Sequence, residues 1–156
     1  SKMISKIAQM LRSGQIDQTG KLSAPCPLYP IPYTLSQEDI RNLQLAKAAI
    51  RAGIEILLDK AGKKISDVRK ILIAGLFGEK IDTADAIEIG LVPKVLKTKV
   101  RSIGNSSLGG AKMVLLDPKL MDAALQISKN TELTELSLEP SYQNKYIDRM
   151  NFIYPN

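Results

Sequence analysis

The stretch Ile71-Leu72-Ile73-Ala74-Gly75-Leu76-Phe77-Gly78 is an apolar run that empties into a glycine-bounded turn. Four consecutive apolar residues closed by glycine predict a short strand buried on both faces. Glycine lacks the Cβ that keeps other backbones at a distance. Such a strand end therefore lets main chain approach a ligand closely, a nucleotide among them. A second segment of this kind, Gly104-Asn105-Ser106-Ser107-Leu108-Gly109-Gly110-Ala111, follows a strand-like run at 100–103. Each also has a plain structural reading. Strand-to-helix turns need glycine for geometry alone, Phe77 reads as core, and Gly109-Gly110 lets a helix pack tightly. No G-x-x-x-x-G-K-[ST] occurs, so this is not a P-loop.

Working outward, Ser36-Gln37-Glu38-Asp39 pairs a hydroxyl cap with first-turn acids and predicts a helix start. The helix runs to Gly62. Ile40, Leu43, Ile50, Ile54, Leu57 and Leu58 are its expected buried stripe, and Gly53 inside it suggests that another backbone passes close by. Gln44 and Lys47 share one face. Periodicity favours a solvent-facing pair; the functional reading is a polar pair projecting into a nucleotide cleft. Upstream, Met3, Ile4, Ile7, Met10 and Leu11 mark a first helix ending before Gly14. Residues 15–22 read as a turn, and Pro25, Pro27, Pro30 and Pro32 impose an extended or loop connector.

Downstream, Asp82 and Asp85 read as helix-start residues rather than magnesium ligands. That helix stops at Gly90 and Pro93. Further helices follow at about 107–116 and after Pro118, then an alternating, half-exposed strand at 131–137 and a short helix after Pro140. Helices alternating with a few strands indicate an α/β fold.

Composition removes several function classes. Cys26 is the only cysteine and histidine is absent. One thiolate cannot hold an iron–sulfur cluster or form an internal disulfide, and a zinc site or histidine triad has no donors. No metal ligand and no catalytic residue is assigned. The net charge of +6 comes from scattered lysines and arginines, and tryptophan is absent, so neither a nucleic-acid patch nor a base-stacking platform is built. No run approaches the ~20 apolar residues of a membrane span, and a cytoplasmic location is expected.

Taken together the segments resemble a known family, the ATP-dependent reductive activators of corrinoid-dependent methyltransferases. Asp39-Ile40-Arg41-Asn42-Leu43-Gln44-Leu45-Ala46-Lys47-Ala48-Ala49-Ile50-Arg51-Ala52-Gly53 is similar to the family's D-I-R-x-L-Q-x-A-K-x-A-I-x-x-G helix. Ile73-Ala74-Gly75-Leu76-Phe77-Gly78 is similar to its L-A-G-x-F-G turn, and Ile89-Gly90-Leu91-Val92-Pro93 to its I-G-L-[LI]-P. The segment at 104–111 resembles G-N-A-A-x-x-G-A, and Glu135-Leu136-Ser137 a late E-L-S strand. Family members carry G-x-C-G-S-G ahead of the first helix; Ser1 is read as the last trace of that loop, with Lys2 where glycine is usual.

The resemblance implies the later, C-terminal portion of an actin-like (ribonuclease H-like) ATPase lobe, with helices on a small mixed sheet. Residues 1–156 would form one domain: an entry helix and proline-rich connector at 1–34, then an adenosine-side lobe at 35–156. Gln44, Lys47, Gly75, Leu76, Phe77, Gly78, Gly104 and Asn105 would face the nucleotide. The cofactors implied are ATP and Mg²⁺, with an iron–sulfur cluster on another domain of the parent. The elements that hold Mg²⁺ and the γ-phosphate would lie outside this chain. The implied partner is a corrinoid protein whose inactive Co(II) is reduced to Co(I), with a homodimer as a further expectation. Two alternatives stay open: a docking or dimerisation module without a nucleotide role, and a small-molecule kinase of the same superfamily.

Overall fold

The computed structural model describes residues 2–24, 26–27, 34–75 and 80–152. Helix α1 (Lys2–Arg12) leads through the loop at 13–24 to a short antiparallel ladder, β1 (Cys26–Pro27) against β2 (Thr34–Leu35). Helix α2 (Gln37–Lys60) follows, then β3 (Ile71–Ala74), α3 (Thr83–Glu88) and β4 (Val100–Gly104). The described chain ends in α4 (Ser106–Leu116), α5 (Leu120–Lys129) and α6 (Tyr142–Asp148).

The start of α2 forms as its sequence dictates. Ser36 Oγ accepts from Asp39 N–H at 3.2 Å while Asp39 Oδ2 accepts from Ser36 N–H at 2.8 Å, a reciprocal capping box. The buried face of α2 is a different matter. It comprises Ile40, Leu43, Gln44, Lys47, Ala48, Arg51, Ala52, Gly53 and Ile56, whereas Ile50 and Leu57 are exposed. The stripe keeps helical spacing, but it is rotated from the expected one because three of its members are polar. Gly53 is close-packed by a side chain rather than a backbone: a Cβ there would lie 3.2 Å from Leu136 Cδ1.

The core sits at the N-terminal end of the chain. Ile4, Ile7, Ala8 and Met10 of α1 pack with Ile40 and Leu43 of α2 and with Ala86, Ile89 and Leu91 around α3. Phe152 closes this cluster from the other end of the chain. Leu35 of β2 joins the same cluster, whereas β3 and β4 contribute no residue to it.

Strands β3 and β4 pair in parallel, with Ile71 opposite Val100 and Ala74 opposite Gly104, and Ile103 is bulged out of the register. The expected burial of β3 on both faces is not observed: Leu72 is 55% exposed and Ala74 is exposed. Its partner among the described strands is β4 alone, so no second ladder covers its other edge. The two ladders are separate, one parallel and one antiparallel, instead of one mixed sheet. The alternating segment at 131–137 is not a strand. Its last residues enter a 3₁₀ turn at Leu136–Leu138, which places Leu136 against Gly53. Gly109 and Gly110 have open space where a Cβ would project, so no helix packs on them among the described residues.

Candidate functional site

Two neighbourhoods hold the residues singled out by sequence. The first is built on the buried polar face of α2. Gln44 Nε2 donates to Thr19 O at 2.9 Å, and its Oε1 accepts from Arg41 Nη1 at 3.3 Å. About two helical turns earlier, Gln37 Nε2 donates to Gly20 O at 2.8 Å and its Oε1 accepts from Leu22 N–H at 2.7 Å. The loop at 17–22 is thus stapled along α2 by two glutamines. It is also closed on itself. Asp17 Oδ1 accepts from Thr19 Oγ1 at 2.7 Å, Thr19 N–H at 2.9 Å and Lys21 N–H at 3.0 Å. These bonds, the Thr19 hydroxyl foremost, hold the Asp17 carboxyl below its ordinary range.

Lys47 is 0% exposed. Its Nζ donates to Arg149 O at 2.9 Å and to Asn151 O, and lies 5.2 Å from the centroid of the Phe152 ring. Phe152 N–H in turn donates to Gln18 O at 3.0 Å, tying the end of the described chain to the stapled loop. Burial pushes the Lys47 ammonium down to about 7, with Arg51 and Arg149 adding repulsion. The carboxylate that balances those arginines is Glu55, whose Oε1 accepts from Arg149 Nε at 2.8 Å and Arg51 Nη2 at 3.3 Å. The solvent-facing reading of Gln44 and Lys47 is overturned. Both side chains point inward because the period that buries Ile40, Leu43 and Ala48 carries positions 44 and 47 with it. Backbone carbonyls of the loop and tail supply the partners that make the burial tolerable.

The second neighbourhood is the carboxyl edge of the parallel pair. Because Ala74 stands opposite Gly104, Gly75 and Gly104 end their strands side by side. Both are in the left-handed region, at φ +83° and +63°, and among the described residues a Cβ on either would meet no atom within 4 Å. Asn105 caps the next helix, its Oδ1 accepting from Leu108 N–H at 3.0 Å. The structure thus brings Gly75, Gly104 and Asn105 together. Leu76, Phe77 and Gly78 lie outside the described residues. The contacts of Gln44 and Lys47 lead elsewhere, to residues 19–20 and 149–152.

Sequence reasoning missed the partners of Lys47, namely the carbonyls of Arg149 and Asn151 and the ring of Phe152. No local pattern announces a contact about a hundred residues away in sequence. It also missed Arg51 and Glu55. The spacing 44, 47, 51 along one helix face was the available signal. Among the described residues no group of three His, Cys, Asp or Glu side chains stands close enough to hold a metal ion. No helix among them is long and apolar enough to cross a membrane.

Comparison with known proteins gives these neighbourhoods a context. A solved structure, "Reductive activator for corrinoid,iron-sulfur protein", superposes with a TM-score of 0.84 at 27% identity, over 96% of this chain and 27% of that one. The "Corrinoid activation enzyme RamQ" of Eubacterium limosum is 41% identical over 113 residues, 72% of this chain and 19% of its own length. The "[Co(II) methylated amine-specific corrinoid protein] reductase" of Methanosarcina barkeri is 26% identical over 152 residues, 96% of this chain and 28% of its own. The chain therefore spans less than a third of the relatives it matches. A family described as the "C-terminal domain of RACo the ASKHA domain" matches residues 31–156. The chain belongs to that family, and its fold is an actin-like ASKHA domain.

Proposed function

We propose that this chain is the nucleotide-side lobe of a corrinoid activator, a protein that uses ATP to return an inactive Co(II) corrinoid to Co(I). The relatives' names, a corrinoid activation enzyme and a Co(II) corrinoid protein reductase, support the reaction class. One electron is delivered to Co(II), from an iron–sulfur cluster on another part of the parent protein. The corrinoid protein is the partner, a homodimer is a further assembly we propose, and the cytoplasm is the location.

The observation that carries the nucleotide role is the side-by-side ending of β3 and β4 in positive-φ glycines, with no described residue above either. Ligands of open parallel sheets bind outside the carboxyl ends of the strands. Gly75 and Gly104 present bare backbone there, and the N-terminal end of α4 adjoins them behind Asn105. These residues fit an approaching nucleotide. Bound ATP with Mg²⁺ would supply the free energy that makes the electron transfer favourable. What this lobe does is present the carboxyl edge at Gly75, Gly104 and Asn105. Gln44 and Lys47 join that site where the loop and tail that hold them yield.

The test is titration calorimetry of ATP into the intact protein. Asparagine tolerates the left-handed region but adds a side chain. Gly75→Asn and Gly104→Asn should therefore keep the fold and weaken ATP by about tenfold or more, through lost approach distance. Wild-type affinity in both variants would remove the sheet edge from the site. Lys47→Ala reads the lysine separately, and unchanged affinity there would exclude it from nucleotide binding. Reduction of the partner's Co(II), followed by its visible spectrum, should fall in step with ATP affinity.

A further inference from the structure

One cleft lined by described residues borders the first neighbourhood through Arg51, Glu55, Arg149 and Phe152 and extends beyond it. It measures about 1270 Å³ and opens between the C-terminal half of α2, the turn at 63–65, the stretch at 90–95 and α6. None of the eight residues expected at the nucleotide lines it. Small-molecule pockets usually measure about 300–1,000 Å³, so the cleft is larger than one such ligand fills.

Its lining has a definite chemistry. Leu58, Ile65, Ile87 and Val95 give it an apolar floor, and Val95 is left 65% exposed. The carboxylates of the α2 wall are already matched: Glu55 with Arg149 at 2.8 Å, and Asp59 with Lys145 at 3.0 Å. Lys63, Lys64 and Lys94 line the cleft, are exposed, and enter no ion pair among the described residues. Against these three lysines stands one lining carboxylate without an ion pair, Glu88, so the mouth of the cleft is positive. Phe152 offers no ring face for a base to stack on, being almost fully covered. A polyphosphate would satisfy the lysines and leave the apolar floor wet. A neutral apolar segment would cover the floor and desolvate the lysines without partners.

We propose that this cleft is a docking groove for an acidic segment of a partner protein, one that sets apolar side chains on the floor and carboxylates against Lys63, Lys64 and Lys94. Charge complementarity of this kind chiefly sets partner choice and encounter rate, while the apolar anchor supplies the buried hot spot. The proposal does not depend on nucleotide binding.

The probe is a short fluorescent peptide of alternating leucine and glutamate, titrated by anisotropy into the intact protein at physiological salt. Combining Lys63→Glu, Lys64→Glu and Lys94→Glu should weaken binding by about tenfold or more, and Val95→Asp by a similar factor. Both sets alter exposed side chains, so the fold is retained; Val95→Ser provides a milder second variant. Reversing the exposed lysines Lys112 and Lys119, which do not line the cleft, should leave binding within about twofold. Three results would overturn the proposal: no binding of the peptide, equal loss from the Lys112 and Lys119 reversals, or equal binding of an all-glutamate peptide or tripolyphosphate.

Discussion

At the residue scale, Gly20 shows how tightly the loop at 17–22 sits on α2. Its φ is +87°, and a Cβ there would lie 2.5 Å from Gln44 Nε2 and 2.6 Å from Cδ and Oε1. Gln44 cannot swing aside without leaving Thr19 O. Gly20→Ala therefore combines left-handed strain with overpacking and should cost about 2–4 kcal/mol. Gly14 makes the control: at φ +73° with open space around its would-be Cβ, Gly14→Ala carries the strain alone, about 1–2 kcal/mol. Urea unfolding of the two variants measures the difference; equal losses would mean that Gln44 does not define the loop's position.

Lys47 gives a pH dependence whose sign can be worked out. The unfolded chain keeps its proton to about 10.4, whereas burial in the fold brings the ammonium to about 7. Between these values the unfolded state binds more protons, so stability rises with pH. Below pH 7 both states are charged and the full cost of burial applies. The clamp itself survives deprotonation, since a neutral amine still has two N–H donors for the carbonyls of Arg149 and Asn151. Lys47→Met should flatten the gain in stability between pH 7 and 9 by up to about 1.4 kcal/mol per pH unit. Urea titrations at pH 7, 8 and 9 test this, and a wild-type slope in the variant would show that the buried ammonium is not what titrates. The motif Gln44-x-x-Lys47 was legible in sequence; its inward orientation was not. Amide and ammonium groups weaken the apolar signal at two positions whose burial depends on carbonyls supplied from residues 19, 149 and 151.

At the element scale, α6 is fastened to the second half of α2 by charge. Arg149 reaches Glu55 through Nε at 2.8 Å and Nη2 at 3.3 Å, and Lys145 reaches Asp59 at 3.0 Å. Glu55 is mostly covered and also serves Arg51. Removing its charge leaves two guanidinium groups and the Lys47 ammonium facing one another, so Glu55→Gln should destabilise by about 2–3 kcal/mol. The Arg12–Asp85 pair, at 3.2 Å with half of the arginine in water, is the counterexample. Arg12→Ala should cost no more than about 1 kcal/mol. Thermal denaturation should rank the two in this order; the reverse ranking would mean that α6 is held by its apolar contacts alone. The cap at Ser36 and the helix that follows could be read from sequence because a capping box is a local device. The segment at 131–137 could not. Its alternation satisfies the strand pattern, but a strand needs a neighbour, and Leu136 finds Gly53 of α2 instead.

At the scale of the whole molecule, apolar surface is unevenly distributed. The core gathers around α1, α3 and the first half of α2, while Leu115 and Leu116 of α4 are 81% and 86% exposed. Leu72, Ile103, Leu125, Ile127 and Leu133 are also exposed. Sequence periodicity recognised these residues as apolar and assigned them to helices and strands, but periodicity does not say whether anything lies across from them. Monomeric proteins seldom leave contiguous apolar patches beyond about 300–600 Å² uncovered. The relatives in which this fold occurs are more than three times as long as the matched segment, so they contain chain enough to cover such faces. The 156-residue chain purified by itself should therefore bind anilinonaphthalene sulfonate and self-associate with rising concentration, despite its net charge of +6. Leu115→Glu with Leu116→Glu should reduce both effects. These side chains touch little of the core, and the unfolding midpoint should move by about 0.5 kcal/mol equivalent or less. Light scattering across a concentration series reads the association, and dye fluorescence reads the exposed surface. A monomer without dye binding would show that α4 and α5 close over these leucines in solution. Full suppression by the double substitution would locate the sticky surface on α4, ahead of the edge of β3 that no described strand covers.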